Sequence, residues 1–198
     1  MSLVDKVIAA VTPPETEEQR REARAKAQAA AGRDDWLALV LEHHVQIESA
    51  FSALKAANDL PSRLAAHRDL AILLTGHSNA EEAVIYPALL HFGHKTHAMA
   101  GYTEQAGAKA NMGELEFLDP LSQDYLDKLE HIRGAVAHHM YEEENDRFLD
   151  LKKLPAADQQ RLTQRFREEF ERYVGADDGA RWTSDGTPAT DAGASVPH

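Results

Sequence analysis

Cysteine is absent from the 198 residues. That excludes disulfides, thiolate zinc sites, iron–sulfur clusters and thiol catalysis. Glycine (11) and proline (8) are sparse and fall at the edges of long periodic segments, the punctuation of a helical chain. No stretch approaches ~18 uninterrupted apolar residues, so no membrane span is expected. The first residues, 1–14, are too polar for a secretory signal, which leaves the cytoplasm as the expected compartment. Positive charge is also scarce: 21 Lys+Arg stand against 33 Asp+Glu, a net charge of −12. That balance argues against a nucleic-acid partner, whose phosphates require a basic footprint. Histidine is what the chain has in quantity. There are eleven, and ten lie between His43 and His139.

Val4, Val7, Ile8 and Val11 make a short amphipathic start. Thr12-Pro13-Pro14-Glu15 reads as a helix opening, with a Thr cap, first-turn proline and a Glu three residues on. The Glu/Arg/Ala-rich run to Ala31 has hardly any apolar stripe and is expected as a solvated helix laced with i,i+4 ion pairs. From Asp35 the pattern sharpens. Leu37, Val40, His44, Ile47, Phe51 and Leu54 form one seam, ended by Asn58-Asp59-Leu60-Pro61. A second helix carries Leu64, Leu70, Leu74, His77, Glu81, Val84 and Ala88, and a third, over about 98–118, carries Gln105, Ala108, Met112 and Leu115. Asp119-Pro120 then caps a fourth, with Leu129, Ile132, Val136, His139, Glu143, Phe148 and Leu151. Leu154-Pro155 opens a fifth, with Leu162, Phe166, Phe170 and Tyr173 on one face. No segment alternates with period two for long enough to be a strand. The expected fold is all-α: an up-down-up-down four-helix bundle over 35–153, an N-terminal helical extension over 1–34, a C-terminal amphipathic helix over 154–174 and a disordered tail over 175–198.

Two segments repeat each other. His77-Ser-Asn-Ala-Glu81-Glu82-Ala-Val-Ile-Tyr86 and His139-Met-Tyr-Glu-Glu143-Glu144-Asn-Asp-Arg-Phe148 share the form HxxxEExxx[YF]. On a helix, i and i+4 lie one turn apart on one face, so His and Glu can grip an ion from the same side. The seam itself chooses His44 over His43, and His139 with Glu143 over His138 with Glu142. A lone His–Glu pair at this spacing is an ordinary surface pair of small worth. Three seam histidines and two seam carboxylates are another matter, because burying them without a partner costs several kcal/mol apiece. A metal ion removes that cost. Register fits least well across the last turn of the bundle: Gln105 lies 14 residues before Asp119, and His139 lies 19 after Pro120. The connection between those helices must absorb about a turn. Imidazole and carboxylate without thiolate favour iron, manganese or zinc, and two carboxylates on facing helices can bridge two ions. His43, His138, Glu82 and Glu144 flank the ligands and are expected to support them or face solvent.

These residues resemble the hemerythrin-like family, also called the HHE cation-binding domain. The resemblance runs from about Trp36 to Leu151 and rests on His44 with Ile47 and Phe51, on His77 with Glu81 and Tyr86-Pro87, and on His139 with Glu143. It implies a non-haem di-iron centre, oxo- or hydroxo-bridged, in which histidines cap two ions and carboxylates bridge them. It also implies a small diatomic ligand or peroxide as partner, and roles in binding, sensing or reacting with O2, peroxide or NO, or in iron handling. Zinc and manganese are the alternative metals. The family places a further histidine on the third helix, in a Glu-His context with Lys four residues on. Here the stretch is Glu104-Gln105-Ala-Gly-Ala-Lys109. Glu104 is the better ligand chemically, Gln105 is better placed on the seam, and His97 is a third candidate. The glutamine shifts the expectation from a reversible carrier towards an oxidase-like, sensory or iron-handling site. A bundle held together by its metal, or an iron-responsive interaction module, would use the same ligands.

Overall fold

The computed structural model describes residues 15–175. The amphipathic start at 4–11, the opening at Thr12 and the tail from 176 onward lie outside the described residues. Within them the chain is all-helical, with no strand, and no described helix is long and apolar enough to cross a membrane. The order is α1 (Glu17–Ala30), α2 (Trp36–Ala56), α3 (Leu60–Ala80), α4 (Tyr86–His91), α5 (Lys95–Leu115), α6 (Gln123–Glu142) and α7 (Ala156–Val174).

Local chemistry sets most of these boundaries. Thr16 caps α1 in a capping box: its hydroxyl accepts from the Gln19 amide while the Gln19 side chain accepts from the Thr16 amide. The start of this helix is therefore at Thr16. Asp35 caps α2 by accepting from Ala38, and Asp59 caps α3 by accepting from Ser62, with Pro61 in the first turn. Asp119-Pro120 does not cap α6. Ser122 does, accepting from the Tyr125 amide, and Asp119 instead closes the preceding turn through Leu121.

The seams expected for α2, α5 and α6 point inward: Leu37, Val40, Ile47, Phe51, Leu54, Met112, Leu115, Leu129, Ile132 and Val136 are buried. On α3 Leu70 is buried as expected and Leu73 is buried beside it, while Leu64 is half exposed. The apolar residues divide into two clusters. One gathers Trp36, Val40, Tyr86, Leu89, Phe148 and Phe166; the other gathers Ile47, Phe51, Leu70, Leu115, Tyr125 and Ile132. His44, His77, Glu81, Gln105, His139 and Glu143 are buried and belong to neither cluster.

The outer helices depart from the expected picture. Helix α1 is not merely solvated: Ala23 and Ala27 are buried, and Arg24 pairs with Glu48 and Glu144 of other helices rather than along its own. Small side chains on one face let it lie close to the rest. Helix α7 also docks, with Phe166 and Val174 buried, whereas Tyr173 is half exposed. Its approach to α3 is close enough that a Cβ at Gly76 would stand 2.7 Å from Val174.

Docking of α7 through Phe166 sets a first prediction. Replacing this fully buried ring by alanine should cost about 3–5 kcal/mol in urea unfolding, the range for a deleted core aromatic. Tyr173→Ala should stay within about 0.5 kcal/mol, as expected of a surface position. Equal, small losses in both variants would mean that α7 does not pack as described.

Candidate metal centre

Each copy of the repeated motif enters a widened turn at its glutamate pair. The helix relaxes from four- to five-residue hydrogen bonding over Glu81–Ile85 and again over Glu143–Arg147. The Tyr86 amide donates to the Glu81 carbonyl, and the Phe148 amide to that of Glu143. Single wide turns of this kind concentrate at functional sites. In an ordinary helix residues five apart diverge around the axis; here they come onto one side, which explains the aromatic five residues after the glutamate in both copies. Pro87 has no N–H to give the Glu82 carbonyl at this wider spacing, and the Tyr102 hydroxyl donates to it instead at 2.9 Å.

Four groups converge at the centre. His44 from α2, His77 from α3, and Glu81 and Glu143 from the wide turns each offer a ligand atom, all within 4.8 Å of one another and all buried. His44 Nε2 stands 3.4 Å from Glu143 Oε2, His77 Nε2 is 3.4 Å from Glu81 Oε2, and His139 Nε2 is 3.3 Å from Glu143 Oε1. These separations exceed a good N–H···O hydrogen bond. Two ligands sharing an ion at ~2.0–2.1 Å in tetrahedral array stand about 3.3–3.4 Å apart. His44 Nε2, Glu81 Oε1, Glu143 Oε2 and Gln105 Oε1 are shut from water and have no hydrogen-bond partner. Spacing and orphaned lone pairs both fit a metal ion.

The far nitrogens of two imidazoles are held from outside. His44 Nδ1 lies 2.7 Å from Glu144 Oε1, and His139 Nδ1 lies 2.7 Å from Glu104 Oε2. A carboxylate that accepts from Nδ1–H leaves Nε2 free to ligate. The two carboxylates are themselves pinned, Glu144 by Arg24 at 2.8 Å and Glu104 by Arg147 at 2.6 Å. Glu104 therefore orients His139 and does not itself enter the centre. Gln105 does enter: its amide donates to Glu81 Oε2 at 2.6 Å and lies 3.5 Å from His139 Nε2. That contact also shows that the connection 116–122 absorbs the register mismatch between the third and fourth seams. His97 lies elsewhere, beside His94 and Asp150.

The Tyr86 hydroxyl fills the space between the carboxylates. It donates to Glu143 Oε1 at 2.9 Å and stands 3.2 Å from Glu81 Oε2 and 3.3 Å from His139 Nε2. Gly101 makes this possible, because a Cβ there would stand 2.6 Å from Tyr86 Cζ.

No protein-family model matches the chain, and no solved structure matches it. A DNA nickase of Nostoc sp. (strain PCC 7120) is 24% identical over 128 residues, which cover 64% of this chain and 35% of that protein. The chain thus spans about a third of that relative's length.

The electrostatics follow from burial. Burial, then the facing charge of Glu143, pushes the Glu81 carboxyl well above its usual range. Burial, then the neighbouring His44, pushes His77 well below its own. Burial also pulls His44 down, but contact with Glu143 and Glu144 outweighs it and raises the imidazole to about 10. Burial and the two glutamates keep Tyr86 protonated, far above the ordinary phenol value.

The motif spacing makes Glu144 and His43 flanking groups, and both are buried. His43 stacks on Phe170 with ring centroids 3.9 Å apart, and burial holds it down to about 3, so it is neutral. Glu82 pairs instead with Lys109, and His138 with Glu15, both towards the surface. Arg24 and Arg147, which pin Glu144 and Glu104, are not marked by the motifs. Their only sequence signal is a cation on a helix that docks near a buried glutamate.

The Glu104 network is testable by pH. Burial raises this carboxyl, but hydrogen bonds from Arg147 and His139 outweigh it and hold it at about 2, below the ordinary 4.5. A carboxylate with a depressed folded pKa stabilises the fold above its unfolded pKa and loses that contribution as pH falls through its folded value. Metal-free protein should therefore lose stability between pH 4.5 and about 2. In Glu104→Gln this part of the decline should be absent, read as the urea midpoint across that range. Parallel profiles for the two proteins would remove Glu104 from the network.

Proposed function

We propose that the chain is a hemerythrin-like protein, an up-down-up-down four-helix bundle with a non-haem di-iron centre that binds, senses or reacts with a small oxidant such as O2, peroxide or NO. The observation that carries this reading is the buried group of His44, His77, Glu81 and Glu143 with lone pairs left unpartnered. His44 and His77 would cap one ion, His139 with Gln105 the other, and Glu81 and Glu143 would lie between them. When bound, iron supplies redox chemistry and an open position for the small ligand. Glu144 and Glu104 fix the imidazole rings so that no reorientation is needed on loading. Tyr86 holds a proton at Glu143 Oε1, where it can donate to negative charge developing at the centre. Gln105 contributes a weaker ligand than a histidine would, which leaves its side of the centre more open to an incoming oxidant. The nicking activity named for the Nostoc relative belongs to a protein nearly three times as long as the shared region, and the net charge of −12 weighs against nucleic acid here.

One observation favours a second reading, a single structural ion. Tyr86 and Gln105 already satisfy part of the His139 side, so the convergent four-ligand group could hold one zinc and stabilise the bundle. An iron-handling interaction module shares the first reading's metal content and differs in lacking an oxidant response.

Metal content and absorption separate these readings. Protein expressed aerobically with iron should hold about two iron per chain, with an oxidant-sensitive band at roughly 300–400 nm from the non-haem centre. His77→Ala and Glu143→Ala should each lose most of the metal. A colourless protein with about one zinc, unfolding on chelation, would select the structural reading. Full iron occupancy in both variants would overturn the ligand assignment.

A further inference from the structure

A second group of metal-ligating side chains lies apart from the buried centre. Chain geometry brings it together. Helix α4 ends in a turn at Gly93, whose φ of +91° favours glycine. That turn places His94 at the cap of α5 and His97 one turn further on. The two rings stack with centroids 6.0 Å apart and planes at 21°. Asp150 approaches from the connection after α6, with Oδ2 3.3 Å from His94 Nδ1. His94, His97 and Asp150 offer ligand atoms that all lie within 4.8 Å of one another, and all three residues are half-buried.

Three observations point to an ion rather than to a simple ion pair. The 3.3 Å between His94 and Asp150 is again the edge of a tetrahedron around an ion with ~2.0–2.1 Å bonds. His97 Nδ1 is shut from water and has no hydrogen-bond partner, while His97 Nε2 stands 3.7 Å from Asp146 Oδ2, too far for a hydrogen bond. Lys153 holds the other oxygen of Asp150 at 2.5 Å, which orients the carboxylate with Oδ2 towards His94. The chemistry selects the ion: two imidazoles and one carboxylate suit a borderline divalent cation, not calcium or magnesium, which prefer all-oxygen sites. The positive end of α5 opposes a cation; Asp150 and Asp146 offset it.

We propose that His94, His97 and Asp150 form a second, surface site for a divalent transition cation of the zinc class, completed by solvent. The ion would tie the start of α5 to the connection that follows the second wide turn. Its ligands are distinct from those of the buried centre, and the site does not depend on what that centre holds.

Zinc titration of the protein as purified tests this. Wild-type protein should take up about one zinc equivalent more than His94→Ala/His97→Ala, bound at least about tenfold more tightly than any residual binding in that variant. Asp150→Asn should weaken the same equivalent, and the imidazole NMR signals of His94 and His97 should shift on zinc addition. Metal retained in the buried centre, measured by elemental analysis, should be unchanged in these variants. Conversely, His77→Ala should lose buried metal and keep the surface equivalent, so the two assignments fail separately. If the double variant does not fold, Asp150→Asn and the NMR shifts carry the test. Equal zinc uptake in wild type and variants, or unmoved His94 and His97 signals, would overturn the site.

Discussion

Two carboxylates, Glu81 and Glu143, face each other with no solvent exposure. Taking two like charges out of water in one place costs several kcal/mol each, and much of the surrounding structure answers that cost. Imidazoles, an amide and a phenol point inward at the pair. Outside them stand Glu144 and Glu104, and outside those Arg24 and Arg147. Charge therefore alternates outward from the centre, and each layer stabilises the ionisation or orientation of the one inside it. Apolar clusters on either side of this layer fix where the helices can sit, and the polar layer fixes their register.

The first and last described helices, α1 and α7, are part of this arrangement. Arg24 of α1 holds Glu144 in place, and Glu144 holds His44. Phe166 and Phe170 of α7 stack on His43, the residue next to His44, and His43 in turn packs edge-on against His77. An extension that is peripheral by composition supplies a counter-charge, and a C-terminal amphipathic helix supplies the apolar cover of two histidines.

What is legible in the sequence is periodic. A 3.6-residue seam reports which face of a helix turns inward, so the burial of His44, His77, Glu81, Gln105, His139 and Glu143 follows from their spacing alone. Two kinds of feature escape it. Contacts between residues over a hundred positions apart, such as Arg24 with Glu144, leave no periodic trace. The seam also assumes an unbroken helix: on the second helix it holds for Leu70, Val84 and Ala88 and misses at Leu64, which is half exposed, and it gives no sign of the wide turn that opens at Glu81. The rivalry of Glu104 and Gln105 is undecidable by ligand chemistry. It turns on which face of α5 meets Glu81, and on an arginine at position 147 that claims the Glu104 carboxylate.

The wide turns carry a further consequence for how this chain can vary. A five-residue hydrogen bond is one residue more than an α-helix needs, so each motif contains a built-in insertion. Ala83, Val84 and Ile85 can be exchanged for other residues of suitable size without moving Tyr86 relative to Glu81. If all of these residues were kept and the helix closed to ordinary pitch, the phenol would swing away from Glu81 by roughly the angle of one residue, about 100°. Removing one of them would instead bring the tyrosine to the i+4 position, again on the face of Glu81. The wide turn is therefore what lets the motif carry its extra residue and still aim the phenol at the carboxylate.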